Sequence, residues 1–384
     1  MHMPTDAGLG VERGHNGQDV TVTILDEAAI RAVFERQRPL TIGIEEEVLL
    51  LDPVSLLPVP AADDVVALAG EQSRIKRELP ACQVELVTAV HGDAASAVED
   101  LRRARAELLA ICEGEVAVAA AAVHPTAAAE AITALGGRHG EIEATYGMVA
   151  RRQLVGALQV HVALGSADRT LRVYNALRSH LPLLAALAAS APFHEGRDTG
   201  LASVRPLIAG QLPRQGVPPR LESWSAFAAD MAWGARSGVV SEPRRWWWEL
   251  RPHVVHGTIE VRVPDVQADP LAMTAVVRTV HALVAHLAAQ DEAERLVEAA
   301  PTWRIAENRW AALRDGIHGT QHDLVSGAST PTARRLHELL DSIEPCAPGG
   351  LDVARALVER NGADCLRDVG LDGASRWLVD SYRA

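Results

Sequence analysis

The sequence predicts an α+β fold in which an antiparallel sheet is flanked by helices, and three observations predict it. Four separate stretches alternate with the two-residue period of a strand, and each sets Glu, Gln, His or Arg among apolar neighbours. Other stretches place apolar residues every three or four positions, the spacing of a helix that buries one face, most clearly over 94–115. No G-x-G-x-x-G, Walker A, H-E-x-x-H, serine-elbow or EF-hand pattern occurs, and no internal repeat is present.

Residues 1–20 are rich in Gly, His, Asn and Asp without periodicity, which predicts a mobile tail, and the length of 21–384 suits one large or two ordinary domains. Residues 26–37 predict a short helix with Ala29, Val33 and Phe34 on one side. The strand at 41–52 follows, and it holds three consecutive carboxylates. Alternation puts Glu45 and Glu47 on one face and Glu46 on the other, while Ile42, Ile44, Val48 and Leu50 make the strand a buried one. An unpaired buried carboxylate is costly, and a second like charge on its face adds to the cost. A hard divalent cation would relieve it; so would a solvated strand end with arginine or water partners.

Pro53, Pro58 and Pro60 mark a loop, and 61–70 reads as a helix closed by Gly70. In the second strand-like run Val84, Leu86 and Thr88 alternate with Glu85 and Val87, and Glu78 precedes them across Pro80. Beside Glu45 and Glu47, these two glutamates extend one acidic cluster. After the helix at 94–115, residues 116–123 form a further buried segment. The third strand, 154–164, sets Gln159, His161 and Ala163 on one face, directly after Arg151 and Arg152. An imidazole there suits a structural role or a metal or phosphate site.

Residues 171–189 are helical with a restart at Pro182, 190–205 read as an ordered functional loop, and 223–237 as a helix. Three tryptophans, Trp246 to Trp248, lead into the fourth strand at 256–265, where Glu260 and Arg262 oppose Ile259, Val261 and Val263. Arg262 could balance the acidic cluster or meet phosphate oxygens bidentately. Asp269 and Pro270 begin a helix to about Ala289, opening a helical C-terminal part (about 269–384) without chemical signals.

Composition narrows the partners. The 384 residues are 48% hydrophobic, ample for a core, and the net charge of −13 opposes nucleic acid or an acidic membrane surface. Lys76 is the single lysine, so Schiff-base or P-loop chemistry could be built only there, in surroundings that fit neither. Arginines must therefore handle any phosphate. Cys82, Cys112, Cys346 and Cys365 form no C-x-x-C pair and follow no signal-peptide pattern, which predicts reduced thiols in a cytoplasmic protein. Apolar runs such as 116–123 reach less than half of the ~20 residues a membrane span needs.

Six segments in order carry a resemblance: IEEE at 44–47, ELPACQVE at 78–85, QVHV at 159–162, GRDT at 196–199 with ASVR at 202–205, WELRP at 248–252 and GTIEVR at 257–262. They resemble the motifs of the carboxylate-amine ligase family, the type 2 glutamate-cysteine ligase group of the glutamine synthetase-like superfamily, over roughly residues 40–320. The resemblance implies a curved antiparallel sheet of the glutamine synthetase-like kind, in a single catalytic domain over 21–384. It also implies ATP, Mg²⁺ and an amide bond, expected to be γ-glutamyl, made through an acyl phosphate. By motif position Glu45, Glu47, Glu78, Glu85 and Glu260 would hold metal. His161, Arg251 and Arg205 would address ATP or substrate, with Arg152 joining them, and Arg205 and Arg262 would be catalytic. The implied partners are a small carboxylic acid, with glutamate expected, an amine or amino acid, and further copies in a homo-oligomer.

One position departs from the family pattern. Where His-Val-His-Val is usual, with the first histidine a metal ligand, this chain has Gln159. A Gln carbonyl can coordinate Mg²⁺ but brings no charge and suits softer metals poorly. Gln159 as a weaker ligand implies lowered metal affinity, a retuned enzyme, or a non-catalytic relative that binds a nucleotide or amino acid. The acidic cluster by itself would also serve a metal-dependent hydrolase, which would turn over without ATP.

Overall fold

In the computed structural model, which describes residues 9–13, 19–23, 25–132, 137–240, 242–297 and 299–384 (the side chains of 9–13, 19–23 and 137–138 excepted), the alternating segments pair into one seven-stranded sheet. Its strands are β1 (Ile42–Leu51), β2 (Ile75–Arg77), β3 (Gln83–Val87), β4 (Ala117–Ala119), β5 (Leu158–Ala163), β6 (Leu250–His253) and β7 (Thr258–Val261). The order is β6-β7-β5-β1-β3-β2, all antiparallel, and the short β4 pairs with the end of β1. β1 lies near the middle, which is why its apolar run is buried on both sides.

The two-residue period divides the sheet into two unlike faces. On one, Ile42, Ile44, Val48, Val84, Leu86, Leu158, Val160, Val162, Ile259 and Val261 are fully buried. Helices cover this face: Ala94–Ile111 packs on β1 and β3, and Pro270–Glu292 packs on β5 and on the helices Ala94–Ile111, Ala167–Leu177 and Asp352–Glu359. The Pro270 helix starts where its sequence says it should, with the Asp269 carboxylate accepting from the Leu271 N–H at 2.7 Å.

Glu46 points into this apolar face and is fully buried. Arg105, from the helix Ala94–Ile111, meets it with two bonds, Nε to Oε2 at 2.8 Å and Nη2 to Oε1 at 2.5 Å. The same guanidinium donates to the Gln267 and Ala268 carbonyls at 2.8 and 3.3 Å and lies 4.5 Å from the centroid of the Tyr382 ring. One ion pair thus joins the central strand, a covering helix, the approach to the Pro270 helix and the last turn of the chain.

Three features add to the expectations. Within the stretch expected as a tail, Leu9–Arg13 and Asp19–Thr23 pair antiparallel, in keeping with the Val and Thr alternation of the second segment; residues 1–8 and 14–18 lie outside the described residues. A C-terminal helix, Gly362–Arg383, packs Leu366, Ala374, Leu378 and Val379 against Leu49, Leu51, Ala117 and Ala119. Its glycines interrupt the apolar period, and it bends at Gly370, where φ is 72°. Lastly, Pro270–Glu292 is long and apolar enough to cross a membrane, which a search for unbroken apolar runs passes over, yet 72% of its most apolar stretch is buried inside the fold.

Candidate active site

The other face of the sheet carries the chemistry. The register places Lys76 beside Glu85 and Glu85 beside Glu47 across β2, β3 and β1; Glu45 faces Gln159 across β1 and β5; and His161, Glu260 and Arg251 form a row across β5, β7 and β6. A cavity of about 480 Å³ opens over this face. Glu45, Glu47, Glu78, Glu85, Gln159, Arg251 and Arg262 line its floor, and His139, Ile142, Leu212 and Trp247 close it from outside the sheet. That is the size of a small-molecule site.

Two groups of ligand atoms gather here, each with its atoms within 4.8 Å of one another: Glu45, His161 and Glu260, and Glu47, Glu78 and Glu85. In the first, His161 Nδ1 lies 2.9 Å from Thr258 Oγ1, while its buried Nε2 has no hydrogen-bond partner and faces Glu45 Oε1 at 3.4 Å and Glu260 Oε1 at 4.0 Å. Glu260 is fully buried and gripped by arginine: Arg251 reaches both oxygens, and Arg262 Nη1 reaches Oε1. Burial opposes ionisation of Glu260, but Arg251 and Arg262 outweigh it and hold the carboxyl well below its usual range. Burial likewise opposes the charge on Glu45, and His161 overcomes this to bring it to about 2. Burial alone would lower His161; Glu45 and Glu260 raise it instead. This group therefore balances its own charge.

The second group does not. Burial, and then the neighbouring Glu78, pushes Glu47 up to about 7, and burial with Glu45 and Glu78 pushes Glu85 well above the carboxylate range. Glu47 is held in place, Oε2 accepting from the Ala157 N–H at 2.7 Å and Oε1 from Gln159 Nε2 at 2.8 Å. Glu78 Oε2 accepts from the Leu79 N–H at 2.9 Å. Three converging carboxylates that resist joint ionisation make an all-oxygen set suited to a hard cation.

The fold thus brings together Glu45, Glu47, Glu78, Glu85, Gln159, His161, Arg251, Glu260 and Arg262 from separate segments. Gln159, expected as a ligand, bridges the two groups: its carbonyl accepts from Arg262 Nη1 and its amide donates to Glu47. Arg251 is engaged by Glu260 and by the Arg244 and Trp246 carbonyls at 2.8 and 3.0 Å. Arg205 does not line the cavity. Its Nε bonds Asp265 Oδ1 at 2.6 Å and its Nη2 bonds the Val263 carbonyl at 2.6 Å, a buried tie between its loop and the exit of β7. Arg152 also stays outside the lining, its Nε 3.9 Å from Glu130 Oε1.

Sequence reasoning missed two histidines in the cavity wall. His253 and His256 stack with ring centroids 4.3 Å apart, and both meet His161 edge-on at 5.4 and 5.8 Å. Continuing the alternation from Arg251 by two residues would have found His253 on the same face. Lys76, two residues before Glu78, was open to the same reasoning, and it also lines the cavity.

Comparison with known proteins points one way. A family model described as glutamate-cysteine ligase family 2 matches residues 41–376. A protein of Rubrobacter xylanophilus, provisionally named glutamate-cysteine ligase 2-3, is 34% identical over 364 residues, covering 90% of this chain and 97% of that one. One of Nocardia farcinica, provisionally named glutamate-cysteine ligase 2-1, is 34% identical over 311 residues, or 79% of this chain and 80% of the relative. Among solved structures, glutamate-cysteine ligase from Francisella tularensis in complex with AMP superimposes with a TM-score of 0.69 at 14% identity, over 89% of this chain and 87% of that one. A bifunctional glutathione synthetase from Pasteurella multocida gives 0.64 at 13% identity, over 93% of this chain and 53% of that one. At such identities the two structures speak to the fold alone.

Proposed function

The chain belongs to glutamate-cysteine ligase family 2 and is a ligase, and from that premise we propose that it joins a small carboxylic acid to an amine in an ATP-dependent reaction through an acyl phosphate. The observation that carries the reading is the convergence of five glutamates and His161, from five strands and loops, into two ligand groups on one cavity floor.

The chemistry requires such a site. An amine cannot displace oxide from a carboxylate, so the acid must first receive the γ-phosphoryl group and gain a leaving group. Transfer then depends on alignment and on stabilising charge over the phosphoryl oxygens. Magnesium fits the residues present: His161 Nε2 is buried, unpartnered and aimed between Glu45 and Glu260, and Glu47, Glu78 and Glu85 offer only oxygen. These two groups would hold Mg²⁺, which supplies the positive charge that neutralises the triphosphate.

The chain's own residues do the rest. Arg262 uses Nη1 for Glu260 and Gln159 and leaves its other nitrogens to meet phosphoryl oxygen. Arg251, bound to Glu260 and two carbonyls, fixes that carboxylate instead of meeting ligand. Gln159 keeps Glu47 and Arg262 in mutual register without adding charge. We take glutamate as the acid and an amino acid such as cysteine as the amine.

The test is ADP release with Mg²⁺ across a panel of acids and amines, using an acid labelled with ¹⁸O in its carboxyl. The expected outcome is acid-dependent ADP release with one label carried into inorganic phosphate. Turnover without ATP would replace this reading with a hydrolase. ATP–Mg²⁺ binding with no ADP release across the panel would replace it with a non-catalytic binder, the outcome that a neutral Gln159 favours.

A further inference from the structure

The cavity wall is charged unequally along the sheet. Toward β6 and β7 it carries Arg244, Arg245, Arg251 and Arg262; toward β2 and β3 it carries Glu47, Glu78 and Glu85 with one cation among them, Lys76. A polyanionic nucleotide is served by the arginine-rich half. The Mg²⁺ assigned to the three glutamates would offset their charge where they converge, so a second carboxylate held at the β2 edge needs a cation of its own.

Lys76 is placed to be that cation. It is the single lysine among 37 Lys and Arg residues, so the acidic half carries an ammonium in a chain that uses guanidinium everywhere else. It lies beside Glu85 in the strand register and shares a face with Glu78, yet among the described residues its side chain forms no hydrogen bond and no ion pair within 4.0 Å. Its neighbour Arg77 is paired with Asp63 at 2.7 Å. An exposed ammonium on a flexible stem, open to the cavity and without a protein partner, is a point charge able to take one ligand carboxylate.

Resting on the ligase reading above, we propose that Lys76 determines specificity by anchoring a carboxylate of the acid substrate other than the one that reacts. The acid is then a dicarboxylate or an amino acid with a side-chain carboxyl. Its reacting end lies over the floor between Glu47 and Arg262, and its second carboxylate is held at the β2 edge.

The test is equilibrium binding to the full chain with Mg²⁺ and a non-hydrolysable ATP analogue, so that it does not depend on turnover. The probes are L-glutamate and γ-aminobutyrate, which keeps the terminal carboxyl and lacks the α-carboxylate. The wild-type chain is expected to prefer glutamate by about tenfold or more, the size of one charge-assisted bond. K76M should bring glutamate down to the level of γ-aminobutyrate without altering the latter or the nucleotide, and K76R should keep part of the preference. Lys76 is exposed on a three-residue edge strand, and an unchanged melting temperature would show K76M folded. The proposal is overturned if K76M weakens only the nucleotide, if R244M and not K76M erases the preference, or if the wild-type chain has none. Absence of amide synthesis alongside a Lys76-dependent preference would defeat the ligation reading alone.

Discussion

Binding of a cation to Glu47, Glu78 and Glu85 must displace protons, and the structure sets the pH at which this becomes costly. In the metal-free protein Glu47 sits at about 7 instead of the ordinary 4.5, because of burial and then Glu78, and Glu85 lies well above the ordinary value. Glu47 is then about nine-tenths protonated at pH 6 and about one-tenth at pH 8. Mg²⁺ binding should release about one proton from Glu47 at pH 6, with a further contribution from Glu85, and much less from Glu47 at pH 8. Affinity should rise by about tenfold or more per pH unit below pH 7, since Glu85 adds to the slope, and less steeply once Glu47 has lost its proton. The sign for folding runs the other way. A carboxyl raised in the folded state holds its proton more tightly there than in the unfolded chain, so the metal-free protein loses stability as pH climbs from 4.5 through 7, and Mg²⁺ restores it. Titration calorimetry in two buffers of different ionisation enthalpy reads the proton count directly. Equal Mg²⁺ affinity at pH 6 and pH 8, with no buffer dependence, would refute the reasoning.

Two further outcomes are expected from substitution. R105M leaves the fully buried Glu46 carboxylate without its cation and should cost about 3–5 kcal/mol in urea unfolding, whereas E46L/R105L, which removes both charges, should cost less than R105M alone. R205M should lower the melting temperature by stranding the buried Asp265 while leaving the KM for ATP of the folded fraction unchanged; a raised KM for ATP at full stability would return Arg205 to the nucleotide.

How far the fold could be read ahead depended on whether the information was periodic. The two-residue alternation at 42–51, 83–87, 158–163 and 258–261 assigned the strands and the face of each polar residue, so the cavity floor was readable residue by residue. Helix starts with a local carboxylate or hydroxyl cap, at Asp269 and Ser223, were equally legible. Strand order and the partner of each arginine were not, because these depend on residues far apart in the chain. Arg205 and Arg262 look alike as arginines near glycine-rich or alternating segments, and only the fold sets Asp265 against one and Glu260 against the other. The C-terminal part was legible as helical, but the bounds and bend of its last helix were not, because glycines at 362, 370 and 373 break the period.

The consecutive glutamates at 45–47 show how one strand supports three electrostatic situations. Glu46 points to the helices and is neutralised by Arg105, so it contributes to the fold. Glu45 and Glu47 point to the cavity but meet different neighbours across the sheet, His161 for one and Glu85 with Glu78 for the other. One carboxyl falls to about 2 and the other rises to about 7 although they are two residues apart on the same strand. Gln159 stands between them, donating to Glu47 and accepting from Arg262. As a neutral amide it links the two groups without adding charge to either, so the difference between Glu45 and Glu47 is set by their own neighbours across the sheet.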